Sequence, residues 1–422
     1  MRTFVSALPP NTKILVAFSG GSDSTSLLAA LQVVVAGGLR PDIDVIAATV
    51  DHGLRAESAE EALAVGHFAS QLGISHSILR WEGEKPSASI QERAREARYG
   101  LLSRHAVAKG ADLVLLAHTA DDNRETLAMR RARDPDHAFG MAQSVLVNRS
   151  VWFHRPFLGL ERAVLRDYLE RRGLGWIDDP SNRNTVFERV RVRNHLGATG
   201  CRDHLQPSDR SALAQQAAAW LEASVRFHST LAAEIDLSGF AFDDAALMLG
   251  LTTVIAVIGG RPHRLGKDQQ IKLGQLLKDN VSFRVSLGRC LIERRRNRLS
   301  VVREARGIDP VTIEPGTQNV WDGRFRVTNN GQFAATIRDA REGMALVASL
   351  MDTGLGNRAQ KAANAACPAI TAGHAAELDT EPLLAPYDRF LPIDLLPLAA
   401  IMAQKAGLGP FVALPTPLLA RF

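Results

Sequence analysis

The first half of the chain alternates short apolar runs with longer amphipathic segments. The runs predict buried strands at Ile14–Phe18, Val45–Val50, His76–Leu79 and Leu113–Ala117. The intervening segments predict helices over Thr25–Val35, Ser58–Leu72, Ser87–Ala108 and Asp122–Arg131. Strands that are apolar throughout and separated by helices favour an α/β fold with a doubly wound parallel sheet. In such sheets ligands bind at the carboxyl ends of the strands.

The pattern of the second half differs. Asp209–Ile235 is rich in alanine and predicts one uninterrupted linker helix. Leu237–Glu304 predicts a smaller α+β region that ends on a basic hairpin at Ile292–Arg298. The sequence from about Gly307 begins with a β-like stretch at Val320–Val327 and then becomes rich in alanine, proline and glycine. We therefore expect three domains: a catalytic domain at 1–205, a helical linker with an α+β domain at 206–306, and a second C-terminal domain at 307–422.

Composition narrows the functional classes. The 422 residues are 46% hydrophobic and 23% charged, which is typical of a globular protein. The net charge of +5 favours a polyanionic partner, although a soluble arginine-rich protein has the same excess. Met1–Val5 lacks the apolar run of a signal peptide, so we expect a cytoplasmic protein. Cys201, Cys290 and Cys367 lie far apart and favour buried free thiols over a disulfide, zinc or iron–sulfur site.

A polar loop with two glycines, Ser19-Gly20-Gly21-Ser22-Asp23-Ser24, lies between the first predicted strand and the first predicted helix. Glycines permit positive φ and a close approach of the backbone to a ligand. Backbone amides at the positive end of a helix form a cradle for an anion. The loop lacks the Gly-Lys-Ser/Thr of a Walker A loop and the Gly-x-Gly-x-x-Gly of dinucleotide-binding folds. It therefore predicts a phosphate site of another kind, or a glycine turn without a ligand.

Two further polar clusters follow predicted strands. Asp51 and His52 come after the second strand, where they either bind a ribose or adenine edge or form an Asp turn. His118, Asp122 and Glu125 come after the fourth strand, and the two carboxylates share one helix face. They form a divalent metal site, a pocket for an amine, or a solvated first turn that complements the helix dipole.

Arginines are clustered in two other segments. Arg95 and Arg98 lie on the face of the predicted Ser87–Ala108 helix next to its apolar face, which contains Ile90, Ala94, Ala97 and Leu101. Arg189, Arg191 and Arg193 repeat at period two after the turn signal Asp178–Asn182. A strand or extended loop would direct all three to one side, as a cationic row for phosphates.

Taken together, these segments carry a family resemblance. Ser19–Ser24 resembles the PP-loop of the N-type ATP pyrophosphatases, which cleave ATP between its α- and β-phosphates. Seven segments occur in the order seen in tRNA(Ile)-lysidine synthetases: Ser19–Ser24, Asp51–Arg55, Arg95–Tyr99, His118–Thr126, Gly140-Met141, Arg155-Pro156 and Asp179–Asn182. The resemblance is specific over about residues 12–195, looser over 205–305 and thin beyond 310.

The resemblance implies a PP-loop (HUP-like) fold and a carbon–nitrogen ligase. In that family ATP adenylates the C2 oxygen of the wobble cytidine of a minor tRNA(Ile), and the ε-amine of free lysine then displaces AMP. The resulting lysidine changes codon reading from AUG to AUA and tRNA identity from Met to Ile. The implied partners are ATP with Mg²⁺, free L-lysine and tRNA(Ile) with a CAU anticodon, without zinc, an iron–sulfur cluster or a membrane. Whether the protein is a homodimer stays open.

The same resemblance implies residue roles. The residues implied to bind ATP and pyrophosphate are Ser19, Gly20, Gly21, Ser22, Asp23, Ser24, Asp51, His52 and His118. Asp23 is also implied to bind Mg²⁺. Those for catalysis are Asp23, Arg98, Asp122, Glu125 and Arg193, and Asp122 and Glu125 also pair with the ammonium group of lysine. Those for tRNA are Arg189, Arg191, Lys267, Arg294, Arg295, Arg296 and Arg298, the last four alternatively forming a solvated hairpin. The chain departs from the family at Arg130–Phe139, which replaces a glycine-rich approach to Gly140.

Two other functional classes compete with this one. Another PP-loop enzyme is the first, but a tRNA thiolase needs paired cysteines and a glutamine-dependent synthetase needs a nucleophile for ammonia release, and neither is evident. The second is a nucleotide-binding protein without catalysis. The intact Asp23, Ser24, Asp122 and Glu125 argue against it.

Overall fold

The computed structural model describes residues 1–54, 58–83, 85, 89–133, 139–178, 188–199, 207–351 and 353–416. The chain divides into two compact units. The first contains Met1–Pro207 together with the C-terminal segment that begins at Val412, and the second contains Ser208–Phe411. The sequence does not predict this return of the C-terminal segment to the first unit. The three expected domains stay a prediction.

The first unit alternates strands and helices, as predicted. Its strands are β1 (Lys13–Ala17), β2 (Asp44–Asp51), β3 (Ser75–Arg80), β4 (Leu113–Leu115), β5 (Ser144–Val147) and β6 (Val151–His154). Its helices are α1 (Arg2–Ser6), α2 (Ser22–Ala36), α3 (Ser58–Gln71), α4 (Ile90–Ala108), α5 (Ala120–Arg133), α6 (Arg162–Glu170) and α7 (Glu188–Thr199). The elements predicted between Ile14 and Arg131 are confirmed, with ends displaced by at most three residues.

The sheet of the first unit places the strands in the order β5-β6-β4-β1-β2-β3. All are parallel except β5, which pairs antiparallel with β6. The side chains of β1 and β4 are almost wholly buried, which explains why these strands are apolar throughout. The chain adds β2 and β3 on one side of β1 and then returns to β4 on the other side. The topological switch point therefore lies beside β1, and the Ser19–Ser24 loop leaves β1 there.

The buried face of α4 lies next to the predicted one. The residues that the structure buries are Tyr99, Leu102, Ser103 and Ala106, whereas Ile90 is exposed. Ala94, Ala97 and Leu101 of the expected apolar face are partly buried, so the predicted face borders the buried face and is wrong only at Ile90.

The second unit combines helices with antiparallel sheets. Its helices are α8 (Pro207–Ser224), α9 (Ala245–Ile258), α10 (Lys267–Lys278), α11 (Asn357–Ala365) and α12 (Leu396–Lys405). Its strands are β7 (Val225–His228), β8 (Ala232–Asp236), β9 (Phe283–Leu287), β10 (Cys290–Arg295), β11 (Arg298–Arg303), β12 (Val311–Ile313), β13 (Gln318–Trp321), β14 (Phe325–Asn329), β15 (Ala335–Asp339), β16 (Met344–Ala345), β17 (Pro368–Ala372), β18 (Leu378–Pro382) and β19 (Phe390–Pro392).

Three sheets organise the second unit, with the strand orders β7-β8-β11-β10-β9, β12-β15-β17-β16 and β13-β14-β18. The first of them includes the predicted basic hairpin, formed by β10 and β11 around Arg296 and Asn297. Within the described part of the chain, no helix is both long and apolar enough to cross a membrane.

The predicted helix over Asp209–Ile235 is wrong in its last third. The helix α8 ends at Ser224, and the chain then forms the antiparallel pair β7–β8. Val225 and Phe227 are buried and alternate with polar residues, and Ser229 adopts a φ of 51° in the turn. This period of two indicates a strand, and the surrounding alanines concealed it.

Candidate active site

The Ser19–Ser24 loop is closely packed at the end of β1. Gly20 has a φ of 80°, and a Cβ there would lie 2.7 Å from Cγ2 of Val65. Gly21 has a φ of −70° and is the N-cap of α2, so only the first glycine requires positive φ. The amide of Ser19 donates to Oγ of Ser24 (3.2 Å), and that hydroxyl donates to the carbonyl of Gly21 (3.1 Å). The loop is therefore held as a preformed cradle.

The helix α2 begins three residues earlier than predicted, which places Ser22, Asp23 and Ser24 in its first turn. The amide groups of that turn have no partner within the helix and carry the positive end of its dipole. A polyphosphate at this position would receive their hydrogen bonds. The N-terminus of α2 is thus part of the predicted anion cradle.

A cavity of about 710 Å³ opens above the loop at the carboxyl ends of the strands. Its lining brings together residues from the loop, α2, α4, α5, α6 and α7. They are Ala17, Ser19, Gly21, Ser22, Asp23, Ser24, Arg98, Ala117, His118, Asp122, Arg162, Arg166, Ile177, Asp178, Arg189 and Arg193. Five arginines against three aspartates leave the lining net positive, as a tetravalent anion such as ATP requires.

Asp122 and Glu125 are both buried in the first turns of α5. Oδ2 of Asp122 accepts the amide and the hydroxyl of Thr119, at 2.8 and 3.1 Å. The other carboxylate oxygen of Asp122 and both carboxylate oxygens of Glu125 contact three guanidinium groups rather than solvent. Of the three earlier interpretations, the solvated first turn is therefore wrong.

The helix α7 supplies two of these guanidinium groups. Arg189 donates to Oε2 of Glu125 (2.6 Å) and to Oδ1 of Asp122 (2.8 Å), and Arg193 donates to Oε1 of Glu125 (2.6 Å). The predicted extended row of Arg189, Arg191 and Arg193 is wrong, because a helix brings i and i+4 to one face and turns i+2 away. Arg191 is accordingly exposed.

Sequence reasoning missed the third group, Arg162, which is the first residue of α6. Its Nε donates to Oδ2 of Asp23 and its Nη2 donates to Oδ1 of Asp122, each at 2.9 Å. Burial raises the pKa of Asp23, and Arg162 opposes that rise. One guanidinium group thus joins the loop to the α5 carboxylate. The position of Arg162, in the first loop–helix segment after β6, is the signal that could have identified it.

His118 is held neutral by its surroundings. Burial and the neighbouring charge of Arg155 hold the pKa of His118 well below its ordinary value. Nε of Arg155 donates to Nδ1 of His118 (3.2 Å), and Nη2 of Arg155 donates to the hydroxyl of Tyr99 (3.1 Å). Because Nδ1 accepts a hydrogen bond, the imidazole proton lies on Nε2. His118 therefore offers the cavity a hydrogen-bond donor, not a base.

Asp51 and His52 lie at the end of β2, where burial and the charge of the lining residue Arg98 lower the pKa of His52. Oδ1 of Asp51 accepts the amide of Gly53 (2.9 Å), which is the Asp turn of the second interpretation. The ring of His52 meets the ring of Trp81 edge-on, with centroids 6.0 Å apart. Neither residue is part of the cavity lining given above, so their contact with ATP stays a prediction. Arg55 and the Asp179–Asn182 motif lie outside the described residues.

Side chains of α5 bind the segment around Gly140, which follows the residues where the sequence departs from the expected pattern. Oδ1 of Asn123 accepts the amide of Met141 (2.6 Å), and Arg130 donates to the carbonyls of Phe139 and Gly140. Residues 134–138 lie outside the described residues. The approach to Gly140 is thus fastened to α5 by side chains.

The basic hairpin of the second unit divides into two kinds of arginine. Arg294 is buried and donates to the carbonyl of Leu277 (2.6 Å) and to Asn280. It stabilises the end of α10, and its guanidinium is not at the surface that was predicted to bind tRNA. Arg295, Arg296 and Arg298 are exposed, as is Lys267 at the start of α10.

The two described cysteines are free and buried, as predicted. Burial raises the pKa of Cys290 to about 12 and that of Cys367 to about 11, so both stay protonated thiols. Cys201 lies outside the described residues. Among the residues that are described, His, Cys, Asp and Glu form no group of three that could hold a metal ion.

Comparison with known proteins identifies the family of this chain. The model of the PP-loop domain matches residues 2–199. A tRNA(Ile)-lysidine synthase of Rhizobium meliloti is 40% identical over 93% of this chain and 91% of that protein. The chain belongs to the tRNA(Ile)-lysidine synthase family. The family predicted from the sequence motifs is thereby confirmed.

Further relatives within the tRNA(Ile)-lysidine synthase family agree. The synthase of Mesorhizobium japonicum is 33% identical over 95% of this chain and 94% of that protein. The synthase of Brucella anthropi is 36% identical over 75% of this chain and 74% of that protein. A solved structure of the U34-tRNA thiolase NcsA from Methanococcus maripaludis covers 46% of this chain and 68% of that chain at 17% identity, with a TM-score of 0.38, a likeness too weak to carry an argument.

Proposed function

We propose that this protein, as a member of the tRNA(Ile)-lysidine synthase family, joins free lysine to C2 of the wobble cytidine of a tRNA(Ile) with a CAU anticodon. ATP would first transfer AMP to the C2 oxygen and release pyrophosphate. The ε-amine of lysine would then form the C2–N bond as AMP leaves. The observation that carries the proposal is that the phosphate cradle at Ser19–Ser24 and the buried carboxylate of Asp122 line the same cavity.

The cradle provides the pyrophosphate end of the site. Backbone amides of α2 and the hydroxyls of Ser19, Ser22 and Ser24 surround the position where the β- and γ-phosphates would bind. Arg98 and Arg193 also line the cavity, where they would stabilise the charge of the adenylate.

A magnesium ion would accompany ATP. The donor set fits, because Mg²⁺ in nucleotide sites takes one or two carboxylates with phosphates and water, and Asp23 faces the cradle. Asp23 would hold it through a carboxylate oxygen. Bound there, Mg²⁺ neutralises the charge that builds on the leaving pyrophosphate.

Asp122 and Glu125 are the proposed partners of the lysine ammonium group. Both carboxylates are buried, and burial strengthens a charge-assisted hydrogen bond to an ammonium group. The ε-amine must lose a proton before it attacks. His118 is not suited to take it, because Arg155 occupies its Nδ1.

The second unit would hold the tRNA through phosphate contacts. Arg295, Arg296 and Arg298 on the hairpin and Lys267 on α10 are the exposed cations proposed for this role. In the first unit, the exposed Arg191 on α7 is the remaining candidate of its predicted row. We place the reaction in the cytoplasm, where tRNA and ATP are available.

Incorporation of labelled lysine tests the proposal. The purified protein is incubated with ATP, Mg²⁺ and [¹⁴C]lysine, together with a tRNA(Ile) transcript that carries the CAU anticodon. We expect label in the tRNA and one AMP for each lysine incorporated. A transcript with U at the wobble position is the matched control, since it lacks the cytidine. Equal labelling of both transcripts, or ADP as the product, would contradict the proposal.

A further inference from the structure

The carboxylate of Asp122 has no acceptor position left for a ligand. Oδ2 receives the amide and hydroxyl of Thr119, and Oδ1 receives Nη2 of Arg162 (2.9 Å) and Nη2 of Arg189 (2.8 Å). Four donors match the roughly four lone-pair positions of a carboxylate. An incoming ammonium group must therefore displace one of these donors before it can bind Asp122.

Of the two guanidinium groups on Asp122, that of Arg162 also bonds to a residue of the phosphate cradle. Its Nε lies 2.9 Å from Oδ2 of Asp23, at the edge of the phosphate cradle. Arg189 instead extends from Asp122 to Glu125, which is not among the residues that line the cavity. A polyphosphate in the cradle would therefore attract Arg162 more strongly than it attracts Arg189.

The backbone of Arg162 is fixed, so that a change of partner involves the side chain alone. Its amide donates to Oδ2 of Asp121 (2.8 Å), which fastens the start of α6 to α5. The hydroxyl of Ser26 on α2 donates to the carbonyl of Leu165 (3.0 Å), one turn further along α6. The start of α6 is thus held to both α5 and α2, while the guanidinium group of Arg162 bonds to Asp23 and Asp122 at the same time.

We propose that Arg162 is a positioning residue that couples the two substrate sites by acting as the shared counter-ion of Asp23 and Asp122. The inference rests on the proposed function, in which ATP occupies the cradle and lysine pairs with Asp122. When the polyphosphate binds, Arg162 turns to it and frees Oδ1 of Asp122 for the ammonium group. ATP therefore strengthens lysine binding, and lysine strengthens ATP binding by the same factor.

Calorimetric titration of lysine measures this coupling without any chemistry. Lysine is titrated into the whole protein alone and in the presence of α,β-methylene-ATP with Mg²⁺, which cannot be cleaved between the α- and β-phosphates. The coupling is the ratio of the two dissociation constants. We expect the analogue to tighten lysine binding by at least about fivefold in the unaltered protein, the lower end of typical couplings.

A matched pair of variants distinguishes Arg162 from a neighbouring arginine of α6. Arg162→Gln removes the shared counter-ion, and we expect its ratio to fall to within about twofold of one. Arg166→Gln is the matched control, since Arg166 lies one turn later on α6, lines the same cavity, and makes neither a hydrogen bond nor an ion pair to Asp23 or Asp122 among the described residues. It should keep the ratio of the unaltered protein.

The outcomes separate the inference from the proposed function. Lysine binding with a ratio near one in the unaltered protein, or a full ratio in Arg162→Gln, overturns the inference and leaves the lysine site standing. Absence of lysine binding under both conditions overturns both. If Arg162→Gln fails to fold, Arg162→Met decides, because it keeps an aliphatic stem but carries no charge and no donor, and its ratio should also fall.

Discussion

Asp23 and Ser24 are adjacent in the cradle but perform different tasks. Ser24 closes the loop through the amide of Ser19 and the carbonyl of Gly21, whereas Asp23 is directed across the cavity to Arg162. A methyl group in place of the Ser24 hydroxyl leaves that amide and carbonyl without their shared partner. The geometry of the cradle therefore depends on Ser24, and its charge depends on Asp23.

Substitution of either residue should abolish adenylation while the protein stays folded. We expect no measurable AMP release from Asp23→Ala or Ser24→Ala at saturating ATP, since neither methyl group orients a phosphate. The measurement is AMP formation with tRNA and lysine present, with circular dichroism as the check on folding. AMP release at the unaltered rate by a folded variant would refute the assignment of this loop.

Asp122 and Glu125 should govern the use of lysine rather than ATP. Asp122→Asn or Glu125→Gln removes a charge-assisted contact worth roughly 1.5–3 kcal/mol, so the apparent KM for lysine should rise roughly 10- to 150-fold. The KM for ATP should change far less. Glu161→Gln, which removes a charge from a side chain 61% exposed, is the control. Equal damage to both constants would favour a metal-ligand role for these carboxylates.

At the scale of elements, β6 carries a buried imidazole that makes the fold sensitive to acid. Burial and the charge of Arg155 lower the pKa of His154 to about 3. The ring stacks on Phe4, with centroids 5.1 Å apart, and its Nδ1 lies 2.7 Å from the hydroxyl of Ser144. Between the unfolded pKa near 6.5 and the folded value, the unfolded chain binds more protons, so stability falls as the pH falls.

The titration of His154 predicts that the unaltered protein and a His154→Asn variant differ in how their free energy of unfolding depends on pH. Between pH 7.5 and pH 5, His154 alone should lower the free energy of unfolding by about 2 kcal/mol. His154→Asn retains a polar partner for Ser144 but does not titrate, so its loss over the same range should be smaller by that amount. Urea titrations at both pH values measure it. The same pH dependence in both proteins would show that His154 does not titrate as described.

The elements of the first unit were predictable because their signals are local. A run such as Ile14–Phe18 is apolar on both faces, and only a buried strand of a parallel sheet requires that pattern. The α7 arginines were not predictable in the same way. Their period of two fits a strand, and nothing local shows that Glu125 lies opposite Arg189 and Arg193. Arg162 was missed for the same reason, since its two carboxylate partners lie 139 and 40 residues away in sequence.

At the scale of the whole molecule, the count of 50 lysines and arginines overstates the cations that are available to a nucleic acid. Arg294 is buried, Arg295 pairs with Glu293 (3.0 Å), and Arg189 and Arg193 neutralise Glu125. Composition cannot separate such paired or buried arginines from exposed ones. The structure reduces the predicted hairpin cluster to three exposed members, Arg295, Arg296 and Arg298, and Arg295 shares its charge with Glu293.

A triple Arg295→Gln, Arg296→Gln, Arg298→Gln variant should lose tRNA affinity and keep its affinity for ATP. Each lost phosphate contact removes 0.7 to 0.9 of a unit from the salt slope, so the slope should become shallower by about two to three units. Filter binding across a salt series measures it. The control is the triple Arg306→Gln, Arg326→Gln, Arg338→Gln variant, which removes the same charge elsewhere on the second unit. The same affinity and slope in both variants would show that the hairpin is only a solvated surface.

The exchange of labelled pyrophosphate into ATP tests the central claim most directly. The claim is that the cradle adenylates the tRNA before lysine reacts, so exchange should require tRNA(Ile) with the CAU anticodon and should proceed without lysine. It should be absent from Asp23→Ala. Exchange that requires lysine and proceeds without tRNA would contradict the account, because lysine and not the cytidine would then be the group that receives AMP.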